Sequence, residues 1–373
     1  MEWTDTPESI LFVQTALPWW AGAISVGIAV LIAAGAGYHA LFQSGDFKER
    51  AFYFGFVLFS VPFFAVPWIA HSSLEGIRIE ILKQEPFVVI SDETGASYRA
   101  ARSDFRSFLI ATSTESDSEG QQSTTYKLYL LRHTGVSLFL FQSGSRHRID
   151  EVLQALQILG LPVMDWSSFL SGMESSILES RLPDASSCRG DFQFVESGFT
   201  ERGGCQLSWA TRVHPALFIG IYLPLLAIYF IVLLWNMRGY SHKWAFGLSI
   251  AVLMLAGFGY ATLRPWNARS VLEFYPADSA EPSEGPGIRA YVRSPYFGEL
   301  DSRSLPLSEI RSVDASIGDG NTAITLFDRS FSGDMGSMIR DALSVKTVMI
   351  YTDGLPVTDR LKLCDLLARS ADW

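Results

Sequence analysis

The sequence is poor in charged side chains and has no dense run of basic ones. Asp, Glu, Lys and Arg make up 18% of its 373 residues, whereas hydrophobic residues make up 48% and the formal net charge is −10. A protein that binds nucleic acid normally carries a basic face, so we expect no nucleic-acid partner. The same acidic balance disfavours simple electrostatic attraction to anionic lipid.

Recognisable catalytic and metal-binding motifs are also missing. The sequence has no GxSxG elbow, P-loop, dinucleotide fingerprint or HExxH, and its six histidines show no metal-ligand spacing. We therefore expect a protein without enzymatic activity, metal or cofactor. An enzyme with an unrecognised site is kept as an alternative.

Long uncharged runs are the most prominent feature that is present. Two runs fall in residues 16–70 and two in residues 213–264, and each pair is joined by a short polar loop, QSGDFKER or MRGYSHK. About 20 apolar residues cross a bilayer, and a spanning segment satisfies its own hydrogen bonds as a helix. The sequence therefore predicts four transmembrane helices in two hairpins, preceded by an N-terminal tail over 1–15.

One junction occurs twice. The stretch PWIAHSSLE at 67–75 returns as PWNARSVLE at 265–273, and each copy follows an apolar run. Strand-like segments and a final helix follow both copies, which predicts β domains over 71–165 and 265–373. Thr358 or Asp359 is expected to cap the last helix. We interpret the chain as a duplication of one unit, a helical hairpin followed by an antiparallel β domain.

This order of elements resembles the bacterial integral membrane proteins that carry pleckstrin-homology-like domains behind transmembrane hairpins. The resemblance covers most of the chain and rests on element order, without a diagnostic motif. It implies a small β-sandwich or barrel plugged by a C-terminal helix, and it implies no catalytic residue. The expected fold class is therefore membrane α-helical, with two β-rich α+β domains added.

The three cysteines give information about the cellular compartment of the protein. Cys188 and Cys205 lie in an extension over 166–212 and flank a segment with hairpin character that has no histidine. We predict a disulfide between them, and two unpaired thiols remain the alternative. A disulfide would place this loop in an oxidising compartment. Cys364 falls on the apolar face of the last helix and is expected in the core.

Basic residues in the two short loops, Lys48 and Arg50 in one and Arg238 and Lys243 in the other, favour a cytoplasmic position for those loops. Together with the disulfide, this predicts a protein of the bacterial inner membrane whose N-terminus and β domains are periplasmic. The opposite topology, with cytoplasmic β domains, stays open.

Five further residues are candidates for special roles. Trp68 and Trp266 are predicted at one membrane interface, and His71 and His214 fall at the same level. His39 lies inside the first run, where an ionisable group is a functional candidate. Packing and hydrogen bonding are the alternative role for each histidine.

These observations favour a non-enzymatic function. We expect an integral membrane scaffold or accessory subunit of a membrane protein complex, which presents duplicated β domains to partners. The expected partners are the lipid bilayer and either membrane proteins or further copies of the chain. Lipid or small-ligand binding at the membrane surface is one alternative. A subunit of an oligomeric transporter or channel is another, disfavoured because the runs lack Asp, Glu, Lys and Arg.

Overall fold

The structure, a computed structural model, describes most of the chain outside the apolar regions. The described residues are 2–14, 76–116, 122–165, 188, 190–200, 204–211, 268–276, 286–310, 312–319, 323–328 and 347–371, with residue 53 and scattered positions between 27 and 39.

The same order of elements occurs in both halves of the chain. The first half contains β1 (Glu2–Asp5), β2 (Ser9–Gln14), β3 (Ile77–Leu82), β4 (Phe87–Asp92), β5 (Ser97–Ala101), β6 (Phe105–Ser116), β7 (Gln122–Arg132), β8 (Val136–Ser143), α1 (Arg146–Leu156) and β9 (Val163–Asp165). The second contains β10 (Glu196–Phe199), β11 (Cys205–Ala210), β12 (Arg269–Tyr275), β13 (Gly287–Ser294), β14 (Gly298–Pro306), β15 (Ser312–Ile317), β16 (Ala323–Phe327), β17 (Thr347–Tyr351) and α2 (Val357–Ala371). A single 3₁₀ turn follows β5 and another follows β14, at Arg102–Asp104 and Leu307–Glu309.

Each half begins with a five-stranded antiparallel sheet. Some strands of that sheet precede an apolar region in the sequence, and the others follow it. The first sheet has the order β1-β2-β3-β4-β5, and the second has the order β10-β11-β12-β13-β14. The residues predicted as an N-terminal tail therefore form strands. Ile10 and Phe12 alternate with solvent-side neighbours and are fully buried, opposite the equally buried Ile79 and Ile81.

The remaining strands of both halves join in one seven-stranded sheet. Its order is β17-β16-β15-β8-β7-β6-β9, and β8 pairs in parallel with β15 through partners such as Val136 and Ala315. The short β9 pairs in parallel with β6 at one edge. A backbone ladder and a common core therefore connect the two halves.

The larger core cluster lies on one face of the seven-stranded sheet, and a smaller one with Leu109 and Phe139 lies on the other. Leu130, Leu138 and Ile324 from that sheet belong to the same buried cluster as side chains of both five-stranded sheets. Helix α1 adds Ile149 and packs on β7 and β8. Helix α2 packs on β15 of its own half and also on β4 and β5 of the first half. The C-terminal helix therefore helps to bury the first half of the chain.

The membrane part of the predicted fold is wrong for the described chain. Among the described residues, no helix is long and apolar enough to cross a membrane. What the structure shows there is three β-sheets with short helices, so the predicted integral membrane localisation loses its basis. The prediction rested on the hydropathy of the runs, which does not itself fix conformation. Residues 213–264 and most of 16–70 lie outside the described residues.

The shared core predicts that the two halves unfold together. Leu138 is fully buried on β8, directly beside the other half, so Leu138→Ala should cost about 2–5 kcal/mol of unfolding free energy. We expect one cooperative unfolding transition, with its midpoint at a lower denaturant concentration than in the parent chain. Val163→Ala is the control, because Val163 is half-exposed on β9 and should leave the midpoint nearly unchanged. Two separate transitions, with one unaffected by Leu138→Ala, would contradict a common core.

Candidate functional site: the polar junction under the C-terminal helix

Polar side chains at the start of α2 are buried to an unusual extent. Thr358 and Asp359 are fully buried and Arg360 is almost so. Burial of such groups is costly unless they find hydrogen-bond partners. Their partners, and those of Asp365 further along the helix, come mostly from distant parts of the chain. We call the set of Asp92, Tyr98, Arg132, Thr358, Asp359 and Asp365 the polar junction.

Arg132 at the end of β7 is the centre of the junction. Its Nη1 lies 2.7 Å from Asp365 Oδ1 of α2, and its Nη2 lies 3.7 Å from Asp104 Oδ2. The guanidinium also lies over the ring of Tyr98, 5.7 Å from the centroid, and the Tyr98 hydroxyl donates to Asp365 Oδ2. One carboxylate of the second half thus binds two side chains of the first.

The surroundings raise the pKa of both Tyr98 and Arg132. Burial, and then the hydrogen bond to Asp365, raise the pKa of Tyr98 above its usual value. Burial of Arg132 disfavours its charge, but the charges of Asp365 and Tyr98 and the hydrogen bonds to them together outweigh that effect and raise the pKa of the guanidinium. Neither group exchanges a proton near neutral pH. Arg132 and Asp365 therefore form an ion pair beneath the helix.

The first turn of α2 connects two further segments. Thr358 Oγ1 donates to Asp92 Oδ2 at the end of β4, at 2.7 Å. Asp359 accepts the backbone N–H groups of Gln193 and Phe194, at 3.0 and 2.8 Å from its Oδ2. Asp359, predicted as a helix cap, thus binds the loop before β10. A carboxylate is also favoured in the first turn of a helix by the helix dipole.

The loop bound by Asp359 is closed by a disulfide. Cys188 and Cys205 are joined with a Cα–Cα separation of 5.9 Å, and both are buried. The loop backbone is thus fixed at two places, by the covalent bond and by the Asp359 carboxylate. Cys364 is a buried free thiol on α2, where burial raises its pKa to about 12. A thiol with such a pKa is a poor nucleophile.

A second polar group lies on the opposite face of the seven-stranded sheet. The Tyr129 hydroxyl lies 3.4 Å from Asp319 Oδ2, to which Ser316 Oγ also bonds at 2.7 Å. Within the described ranges, no three His, Cys, Asp or Glu side chains are grouped to hold a metal ion.

The other residues singled out from the sequence are not part of the junction. His39 stacks on the ring of Tyr53, with centroids 5.2 Å apart, and meets the edge of Tyr38 at 6.0 Å. Its described contacts are therefore aromatic packing. Four candidates, Trp68, His71, His214 and Trp266, lie outside the described residues.

Sequence reasoning missed Tyr98, Arg132 and Asp365. Tyr98 and Asp365 are 267 positions apart in the chain, so nothing local links them. One signal was available: Asp365 lies between Cys364 and Leu366 on the last helix, and a charge beside buried apolar positions needs a partner. The sequence gives no indication of which residue that partner is.

Comparison of the chain with protein-family models, with curated proteins and with solved structures found no match. The geometry of the described residues therefore carries the functional argument.

The junction predicts a specific loss of stability when Asp365 loses its charge. Asp365→Asn leaves Arg132, which is 5% exposed, without its closest counter-charge, and should cost about 2 kcal/mol or more of unfolding free energy. Denaturant unfolding measures this cost. Arg369→Ala on the exposed side of α2 is the matched control, expected within about 0.5 kcal/mol of the parent chain. Equal effects of the two substitutions would show that the ion pair contributes nothing.

The disulfide gives a second prediction. Replacing both cysteines in Cys188→Ser/Cys205→Ser opens a loop with a sequence separation of 17, which should cost about 3 kcal/mol. Amide hydrogen exchange should become faster at Gln193 and Phe194. The segment that contains them is then restrained by Asp359 alone and no longer by the disulfide. Native protein should show no maleimide-reactive thiol, since Cys364 is buried. Two fast-reacting thiols before reduction would contradict the bond.

Proposed function

We propose that the chain is a non-enzymatic scaffold, an accessory subunit that presents two fused β units to a protein partner in an oxidising compartment. The proposal concerns the described β structure and does not depend on a membrane-spanning segment.

The observation that carries the proposal is the parallel pairing of β8 with β15. It makes one continuous sheet from both halves, so the surfaces of the two units keep a fixed relative position. Helix α2 adds a second connection through Asp365 and Arg132. A preorganised platform loses little conformational entropy on binding, which favours recognition of a partner that touches both units.

The chemistry of the buried polar groups also supports a structural role. Arg132, Asp359 and Asp365 are each engaged in contacts that connect separate segments of the chain. Cys364, the free thiol, is buried and has a raised pKa. The disulfide supports an oxidising compartment, because such bonds persist where thiols are not kept reduced.

The test is quantitative co-purification from the native host after mild cross-linking, followed by mass determination of the complex. We expect a partner, or a further copy of the chain, in a fixed stoichiometric ratio. Loosening the connection between the units with Asp365→Asn should lower the recovery of that partner severalfold, whereas the exposed control Arg369→Ala should not. Both variants are compared at a temperature at which circular dichroism shows them folded.

A uniformly monomeric chain, with no stoichiometric partner after cross-linking, would overturn the proposal. Equal recovery with both variants would overturn the claim that the fixed geometry of the two units matters. Turnover of any substrate that depends on a described side chain would contradict the non-enzymatic assignment.

A further inference from the structure

The hairpin formed by β6 and β7 extends beyond its neighbours in the seven-stranded sheet. Its two strands pair with each other as far as Ser116 and Gln122, whereas β9 pairs with β6 only as far as Ile110. On the other side, β8 pairs with β7 only as far as Tyr126. The outer part of the hairpin is therefore a two-stranded ribbon. Among the described residues, β7 is the only strand that pairs with β6 beyond Ile110.

The backbone of β6 shows which of its polar groups face the open edge. Phe108 donates its N–H to the carbonyl of Pro162 at 2.8 Å, so its backbone groups point toward β9 and away from β7. Successive residues of a strand direct these groups to alternate sides, and the register with β7 is regular over this part of β6. The N–H and C=O groups of Thr112, Thr114 and Ser116 therefore point to the open edge.

This edge of the ribbon is accessible. Thr112, Ser113 and Thr114 are all exposed, although successive side chains point to opposite faces of a strand. The ribbon is therefore uncovered on both faces at these positions. Its other edge is less open, because Thr124 and Thr125 on β7 are half-buried. The edge on β6 is thus the more accessible one for a further strand.

The open edge lacks the features by which proteins normally prevent strand addition. Proline, β-bulges and several charges in an edge strand have that effect. The stretch ATSTES over 111–116 contains no proline and only one charged residue, Glu115. The irregular register of β6 lies earlier, between Phe105 and Ser107. Threonine, which occurs twice in the stretch, also favours an extended backbone. The edge is therefore suited to pairing with another strand.

The same strand of a second copy is complementary to this edge. Antiparallel pairing of two β6 strands about Thr114 places Thr114 opposite Thr114 of the copy, and Thr112 opposite Ser116 of the copy. Every residue that points to the edge then lies in a hydrogen-bonded pair, which exchanges two N–H···O bonds. Glu115 lies opposite Ser113, so no like charges face each other. Because the paired stretch ends at Thr112, β9 stays outside it in both copies.

We propose that two copies of the chain associate by antiparallel pairing of β6 with β6, with a twofold axis at Thr114. The seven-stranded sheets of the two copies then form one continuous sheet. An interface of this kind uses the same surface of both copies and closes on itself, so it gives a dimer and not a filament. The proposal goes beyond the scaffold function, because it concerns a backbone edge outside the polar junction and requires no other protein.

The charge of the chain predicts how salt affects this dimer. Each copy carries a net charge of −10, so two copies repel each other at a distance. The ribbon itself has little charge, since Glu115 is the only charged residue in 111–116 and none occurs in 122–126. Association through backbone hydrogen bonds should therefore become stronger when salt screens the repulsion. Association through ion pairs would become weaker.

The first test is sedimentation of the purified full chain over a range of concentrations, which should show a monomer–dimer equilibrium. Thr114→Pro removes an N–H that faces the open edge and none that faces β7, so the hairpin should stay folded. The dissociation constant of the dimer should rise at least about tenfold, because both copies lose a hydrogen bond at the axis. Thr114→Ala is the matched control, since it keeps the N–H and should leave the constant nearly unchanged. Thermal unfolding shows that both variants are folded.

The second test reads the register of the pairing through one added cysteine. In Thr114→Cys the two new thiols face each other across the axis, with Cα atoms about 5.5 Å apart, which suits a disulfide. Mild oxidation should therefore join two chains. In Thr112→Cys the two thiols lie about 13 Å apart along the strands, so the same treatment should not join them. The native cysteines do not interfere, because Cys188 and Cys205 form the disulfide and Cys364 is buried.

Three outcomes would overturn the proposal. A chain that stays monomeric at every concentration would show that β6 does not pair with a second copy. A dimer whose dissociation constant is the same in Thr114→Pro and Thr114→Ala would show that the contact lies elsewhere. Equal cross-linking at positions 112 and 114 would exclude a twofold axis at Thr114. Each result leaves the scaffold test unaffected, because the purified chain contains no other protein and that test depends on Asp365.

Discussion

The parallel ladder between β8 and β15 is the contact on which the rest of the structure depends. It places β8 of the first half beside β15, the first strand that the second half adds to the seven-stranded sheet, so one face of that sheet receives both five-stranded sheets and both helices. Parallel neighbours are slightly less stable per residue than antiparallel ones and are normally buried. Here Val136 and Ala315, which occupy paired positions, are both buried, so this parallel ladder lies in the interior.

Once the halves share a sheet, α2 reaches the first half and its polar residues need partners there. Asp365 meets Arg132 and Tyr98, and Thr358 meets Asp92. A buried ion pair contributes little net stability compared with apolar packing, but a lone buried charge is costly. The junction therefore selects one docking position for the helix, because any other position would leave Arg132 without its closest counter-charge.

The sequence predicted the local features well and the long-range ones poorly. Alternating apolar residues identified strands such as β3 and the amphipathic α2, and the repeated junction indicated two similar units. Strands β1 and β2 were missed because β3, with which β2 pairs, lies beyond a long apolar region. The fusion of the halves was missed because pairing between β8 and β15 leaves no local pattern. The same holds for the polar junction, whose members are far apart in the chain.

The described edges of the five-stranded sheets are poorly suited to the addition of further strands. Both β1 and β10 have four residues, and β14 is interrupted by an irregular register beside Asp301, which has a positive φ of 54°. Short or bulged edge strands resist the addition of further strands. Helix α2 packs along β5. Because strand addition is disfavoured at these edges, we expect a partner to contact side chains, and Tyr296 at the turn between β13 and β14 is the most exposed aromatic side chain in the described part of the second sheet.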